Sequence, residues 1–155
     1  MYISKIKLHN FKGFKGDHTL AFDVGVNFFV GDNNCGKSTI FEAIDFIRTK
    51  KTRDEVITKT ELESGEFVSV EIEVKGDDLE ALVETEALKK YKSYLIDTDG
   101  IKSLRIMRSS EDTKITQAKK EKTLSIINVR VFNSETNQFE NPTGIDNTIA
   151  ALFDA

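Results

Sequence analysis

Val26-Asn27-Phe28-Phe29-Val30-Gly31-Asp32-Asn33-Asn34-Cys35-Gly36-Lys37-Ser38-Thr39-Ile40-Phe41-Glu42-Ala43-Ile44 is the stretch on which the fold turns. Its first five residues are almost continuously apolar, the pattern of a strand covered on both faces. From Lys37 onward Ile40, Phe41, Ala43, Ile44 and Ile47 recur at the helical period. Between that strand and that helix, Gly31 to Ser38 matches G-x-x-x-x-G-K-[ST] at every fixed position. The spacing has a mechanical cause. Glycines let the backbone wrap closely around a phosphate chain, so that successive amide N–H groups and the positive end of the following helix point at its oxygens. Gly31, Asp32, Asn33, Asn34, Cys35 and Gly36 form the candidate phosphate cradle. Lys37 is the candidate catalytic residue, reaching the β- and γ-phosphates; Ser38 is the candidate Mg²⁺ ligand, and Thr39 adds a hydrogen bond to the α-phosphate. The cofactors expected are ATP and Mg²⁺. Cys35 fills a variable position, and a thiol at a helix N-terminus is expected to be reactive.

Upstream, Ile3-Ser4-Lys5-Ile6-Lys7-Leu8 alternates apolar with polar residues, as a strand with one buried face does. Gly13 and Gly16 supply a turn, and Thr19-Leu20-Ala21-Phe22 is a second extended piece. Downstream, residues 48–53 lack apolar periodicity and read as a solvated helix end or loop. Phe67 to Val74 alternates again and stops at Gly76. Asp77 and Glu80 stand in capping-box spacing ahead of Leu79, Leu82, Val83, Ala87 and Tyr91, predicting a helix. Leu104 to Met107 and Leu124 to Phe132 read as strands separated by a polar, Lys-rich segment. Pro142 lies in a turn before a short closing helix that ends at Phe153.

At 155 residues the chain is about one domain. Its 26 acidic and 22 basic side chains give a net charge of -4, so no global field draws it to nucleic acid or lipid. Local basic groups, Arg48, Lys50, Lys51 and Arg53 and then Lys119, Lys120 and Lys122, are candidates for DNA phosphate contact, although such runs are usually solvated faces. No signal peptide and no membrane span are legible, and the expectation is a soluble, cytoplasmic protein. The lone Cys35 has no disulfide partner, and with His9 and His18 it makes no ligand cluster.

The first strand running into Asn10-Phe11-Lys12-Gly13-Phe14, then Gly31 to Thr39, then Phe41-Glu42-Ala43-Ile44, resembles the opening of ABC-type ATPase heads, in pattern the RecF, SMC and OLD (overcoming lysogenization defect) proteins. The resemblance covers roughly the first 50 residues. It implies an α/β fold of mixed α+β character: a P-loop NTPase, as a partial ABC-ATPase head with antiparallel N-terminal strands and a P-loop strand-helix unit. It also implies a head that homodimerises around two nucleotides and acts on DNA. Lys12 stands where these families usually carry an arginine that approaches the phosphates; lysine keeps the charge and lacks the bidentate fork. Read alone, Lys12 is equally a solvated strand-end lysine.

Such heads also need a Ser/Gly-rich signature segment and a Walker B strand of four apolar residues followed by Asp-Glu. After Gly36 no two glycines are adjacent. Tyr94-Leu95-Ile96-Asp97 is one residue short and runs into Thr98; Ile149 to Asp154 reads as a helix and lacks the glutamate. Gln117 and Gln138, the only glutamines, read as surface side chains. Residues 1–155 are therefore expected to be an N-terminal lobe, truncated, that holds ATP without hydrolysing it efficiently. The leading expectation is the ATPase part of an OLD-family ATP-dependent endonuclease, because the β-rich stretch from Phe67 to Phe132 shows no long heptad helix. Asp97-Thr98-Asp99-Gly100 imitates the metal-binding Asp-x-Asp of that family's nuclease domain but reads as a turn. The alternative is a RecF/SMC-like DNA repair or chromosome-structure ATPase. A transporter ATPase subunit is a third reading, which Asn10-Phe11-Lys12 argues against.

Overall fold

The computed structural model describes residues 1–23 and 37–154, with Lys37 described by its backbone. The alternation near the N-terminus becomes β1 (Tyr2–Phe11), which pairs antiparallel with β2 (Phe14–Ala21) on one side and with β3 (Ser69–Lys75) on the other. β5 (Ile101–Ser109), β8 (Arg130–Asn133) and β9 (Gln138–Glu140) extend the sheet in the order β2-β1-β3-β5-β8-β9, and β4 (Ile96–Thr98) shares the far edge of β5 with β8. Every described pairing is antiparallel.

Period-two patterning gives the sheet two unlike faces. Ile6 and Leu8, then Val70, Ile72 and Val74, then Leu104 and Ile106, then Val131 point to one side and are fully or almost fully buried. Over them lies α1 (Lys37–Arg48), through Ala43, Phe46 and Ile47, with Leu79, Tyr91, Ile145, Ile149 and Leu152 completing the layer. The opposite face carries Lys5, Lys7, Glu71, Glu73 and Arg105. There Arg105 Nε donates to Glu71 at 2.7 Å and the guanidinium sits 4.1 Å from the centre of the Phe132 ring.

The helix predicted from Lys37 begins at that residue, but its inner face differs from the expectation. Phe46 is buried and Phe41 is 65% exposed, because at about 100° per residue position 41 stands roughly 120–160° around the helix from the 43–46–47 stripe. Residues 26–30, predicted as the preceding strand, lie outside the described residues.

Three further expectations are corrected. Asp77 and Glu80 form no capping box: the helix there, α4 (Leu79–Leu82), has Asp78 before it, and the Asp78 carboxylate instead accepts from the chain's N-terminal amine at 2.5 Å. Gly76 makes that approach possible, since a Cβ at this residue, with φ 156°, would lie 2.8 Å from Met1 Cα. A capping-box bond forms instead where α2 (Arg53–Val56) starts, with the Thr52 N–H donating to Glu55 at 2.8 Å. The Lys-rich separator is itself a hairpin, β6 (Thr113–Gln117) with β7 (Lys120–Leu124). Finally, Leu124 to Phe132 is not one strand. Asn128 breaks it by folding back on Ser125, accepting the Ser125 N–H on its side-chain oxygen at 3.1 Å and donating its own N–H to the Ser125 carbonyl at 3.1 Å, a turn that ends β7 before β8 begins.

Two arginines are buried to 2% exposure and, among the described residues, have no carboxylate in hydrogen-bond contact. Arg108 donates to the carbonyls of Ile47 at 2.7 Å and Ile126 at 3.0 Å. The first of these is in the last turn of α1, where carbonyls lack helical partners. Arg130 bonds the carbonyls of Ser109 and Glu111 and pins the turn between β5 and β6. Burial lowers the pKa of both guanidiniums, only partly offset by Asp146 near Arg108 and by Asp112 and Glu111 near Arg130.

Candidate functional site

The candidate site gathers where the β1–β2 hairpin meets the beginning of α1. Among the sequence-derived residues, Gly31, Asp32, Asn33, Asn34, Cys35 and Gly36 lie outside the described residues, as does the side chain of Lys37. Ser38 and Thr39 occupy the second and third positions of α1, Ser38 exposed and Thr39 half-buried. No acidic residue occupies the first turn of the helix. The positive end of the helix dipole there favours an anion. A hydroxyl in that field suits a metal that arrives already bound to phosphate, as Mg²⁺ commonly does, better than a bare cation that the helix end repels. Among the described residues no group of three or more His, Cys, Asp and Glu side chains is placed to hold a metal ion.

Asn10, Phe11 and Lys12 each have a separate physical task. Asn10 is buried with φ 53°, a left-handed conformation that Asn tolerates better than most residues. Its Oδ1 accepts the Gly16 N–H at 2.8 Å and its Nδ2 donates to the Phe67 carbonyl at 3.1 Å, closing the hairpin over the register shift between His9 and Phe11. Phe11 is wholly buried, with its ring centre 5.6 Å from that of Phe46 on α1. Lys12 has φ 54°, donates its N–H to Val56 at 2.7 Å, and pairs its Nζ with Glu42 of α1 at 3.0 Å. The hairpin is thus packed and paired onto the helix that the glycine-rich motif opens. α3 (Lys59–Ser64) supports it from outside through Lys15 and Glu61 at 3.5 Å. Sequence reasoning gave a role to Lys12 alone; Asn10 and Glu42 stood within the resemblance without one, although Asn followed by a turn and an acid on the exposed helix face were both visible.

The two Walker B imitations are placed elsewhere. Asp97 stands on the edge strand β4, where its carboxylate accepts from Lys102 at 2.7 Å and from the Gly100 N–H at 2.8 Å; those bonds hold its pKa below the ordinary value. Asp97 to Gly100 is accordingly a turn between β4 and β5. Asp154 follows α5 (Ile149–Phe153) and pairs with Arg48 at 2.9 Å. The basic groups considered for DNA are largely engaged within the chain: Arg48 with Asp154, Lys51 with Asp45 at 3.1 Å, Arg53 with the Glu66 carbonyl, and Lys122 with Asn141. Lys119 and Lys120 stay exposed at the β6–β7 tip. Gln117 and Gln138 bond Asn141 and Thr116, away from α1.

Comparison with known proteins agrees with this architecture. The AAA domain family matches residues 5–154, and the chain belongs to that family. Its fold is that of an ABC-type P-loop ATPase head: a solved structure described as "Structural biochemistry of ATP-driven dimerization and DNA stimulated activation of SMC ATPases" superposes with a TM-score of 0.55 at 18% identity, covering 99% of this chain and 80% of that one. A DNA double-strand break repair Rad50 ATPase of Sulfolobus acidocaldarius is 35% identical over 82 residues, 50% of this chain and 9% of the relative. A DNA replication and repair protein RecF of Clostridium tetani is 27% identical over 139 residues, 87% of this chain and 33% of the relative. A structural maintenance of chromosomes protein 3 homolog of Plasmodium falciparum is 47% identical over 47 residues, 30% of this chain and 4% of the relative. The chain thus spans a third or less of each of these three relatives. Among the described residues no helix is long and apolar enough to cross a membrane.

Proposed function

We propose that this chain is the nucleotide-holding lobe of a cytoplasmic ATPase that works on DNA in repair or chromosome structure. The observation that carries the reading is the seating of Asn10-Phe11-Lys12 on the helix that opens from G-x-x-x-x-G-K-[ST]. In this reading the amides of residues 31–36 and the helix end hold the phosphates, Lys37 neutralises the β- and γ-phosphates, Ser38 takes Mg²⁺, Thr39 bonds the α-phosphate, and Lys12 approaches from the hairpin. The Rad50, RecF and SMC relatives support repair or chromosome structure better than the OLD-type endonuclease expected first. By the same likeness the complete head pairs with a second copy around ATP and engages DNA.

Residues 1–155 lack an Asp-Glu pair after an apolar strand, so they hold nucleotide as an N-terminal lobe without efficient turnover. Titration of the 155-residue chain with a fluorescent ATP analogue and Mg²⁺ tests the reading. Saturable binding is expected, and Lys37→Ala should weaken it at least about tenfold, the loss of a charge-assisted phosphate contact. Binding that ignores Lys37→Ala would remove the nucleotide site; steady ATP hydrolysis abolished by Lys37→Ala would instead overturn the lobe reading.

A further inference from the structure

Lys12 has its backbone fixed and its ammonium in a part-exposed ion pair. Asn10, Phe11 and the Lys12 N–H hold the backbone through buried contacts. Among the described residues the ammonium's ion-pair partner is Glu42, at 3.0 Å, with the two side chains 36% and 40% exposed. Exposed pairs of this kind are weak and readily exchanged. Glu42 is the first acid on α1, five residues after Lys37, so it lies about 7 to 8 Å along the axis from the helix start. Among the described residues, the further ion pairs of α1, Lys51 with Asp45 and Arg48 with Asp154, lie further along the helix.

We propose that Glu42 is the resting counter-ion of Lys12, and that nucleotide draws the ammonium off Glu42 onto the phosphates, so that this exchange sets nucleotide affinity; the inference rests on the nucleotide site proposed above. Two negative groups, a carboxylate and a phosphate chain, compete for one flexible lysine whose backbone cannot follow it. Glu42 acts through Lys12 and is a positioning residue.

A simple shield makes the opposite prediction. If Lys12 stayed on Glu42 throughout, its only service would be to mask that carboxylate from the phosphates, and removing the carboxylate would make Lys12 dispensable. A double-mutant cycle in the 155-residue chain separates the two. Dissociation constants for the Mg²⁺–ATP analogue are measured for the parent chain, Glu42→Gln, Lys12→Gln and the double variant. Exchange predicts that Glu42→Gln binds about two- to fivefold tighter, the range of an exposed ion pair released. It also predicts that Lys12→Gln costs more affinity in the Glu42→Gln background than in the parent. An equal or smaller cost there, or unchanged affinity in Glu42→Gln, overturns the proposal. Both side chains are part-exposed, and matching thermal midpoints confirm that each variant is folded. Lys37→Ala runs alongside. If it abolishes binding while the cycle fails, the nucleotide site stands and the exchange alone is refuted; if it leaves binding intact, the nucleotide site falls and takes the exchange with it.

Discussion

Replacing Arg108 by methionine removes a guanidinium but leaves its two acceptors in place. The Ile47 and Ile126 carbonyls accept from it at 2.7 and 3.0 Å, and Arg108 itself is 2% exposed. Each stranded buried carbonyl costs about 1–3 kcal/mol. Against this, the variant no longer buries a charge whose Nε has no partner among the described residues, which recovers part of the loss. Methionine keeps most of the apolar stem's packing. The balance is a destabilisation of about 2–4 kcal/mol, because the arginine's partners are backbone groups that the substitution cannot replace with apolar ones. For a chain of this size that corresponds to a fall in Tm of about 5–15 °C. Urea unfolding followed by far-ultraviolet circular dichroism measures it directly, with Arg105→Met as control. Arg105 is half-buried over Phe132 and paired with Glu71, and its loss should cost about 1 kcal/mol or less. A loss below about 0.5 kcal/mol at Arg108 would mean that desolvating the guanidinium costs as much as its two bonds return, and that the end of α1 needs no clamp.

Further outcomes are expected elsewhere. Phe46→Ala should cost about 3–5 kcal/mol in the same assay, since a fully buried ring between hairpin and sheet leaves a cavity. Burial pushes the Tyr91 and Tyr94 hydroxyls up to about 12, with the Glu140 carboxylate adding to the effect at Tyr94. A raised folded pKa means stability that is complete below the ordinary value near 10 and lost as pH rises toward 12, so absorbance titration at 295 nm and alkaline unfolding should both move in that window; Tyr91→Phe should flatten the loss. Asp97→Asn should leave Mg²⁺-dependent nucleotide binding unchanged, and a large drop would restore Asp97 as a metal ligand. ATP should protect Cys35 from an alkylating reagent, and equal modification rates with and without nucleotide would contradict its place in the phosphate loop.

The legible parts of this protein were those governed by local periodicity. Alternation at residues 3–8 and 67–74 marked β1 and β3, because a strand between a core and solvent must change polarity every residue. The start of α1 at Lys37 followed from a motif whose glycines and lysine are placed by phosphate geometry. Where two local signals competed, the chain's own order was ambiguous. Leu124 to Phe132 is apolar enough for one strand, yet Asn128 folds back on Ser125; Asp77 and Glu80 have capping spacing, yet the chain's amine takes Asp78 first.

The candidate site divides in the same way. Residue types and spacing alone named Gly31 to Thr39 and drew attention to Lys12, because each belongs to a short contiguous pattern. That Asn10 closes the hairpin onto Phe67, that Phe11 packs on Phe46, that Lys12 rests on Glu42, and that Arg108 holds the far end of the same helix, are decisions of tertiary structure. Those partners lie 30 to 61 positions apart, farther than any helical or strand period reaches, and only the closing of the sheet under α1 brings them within bonding distance.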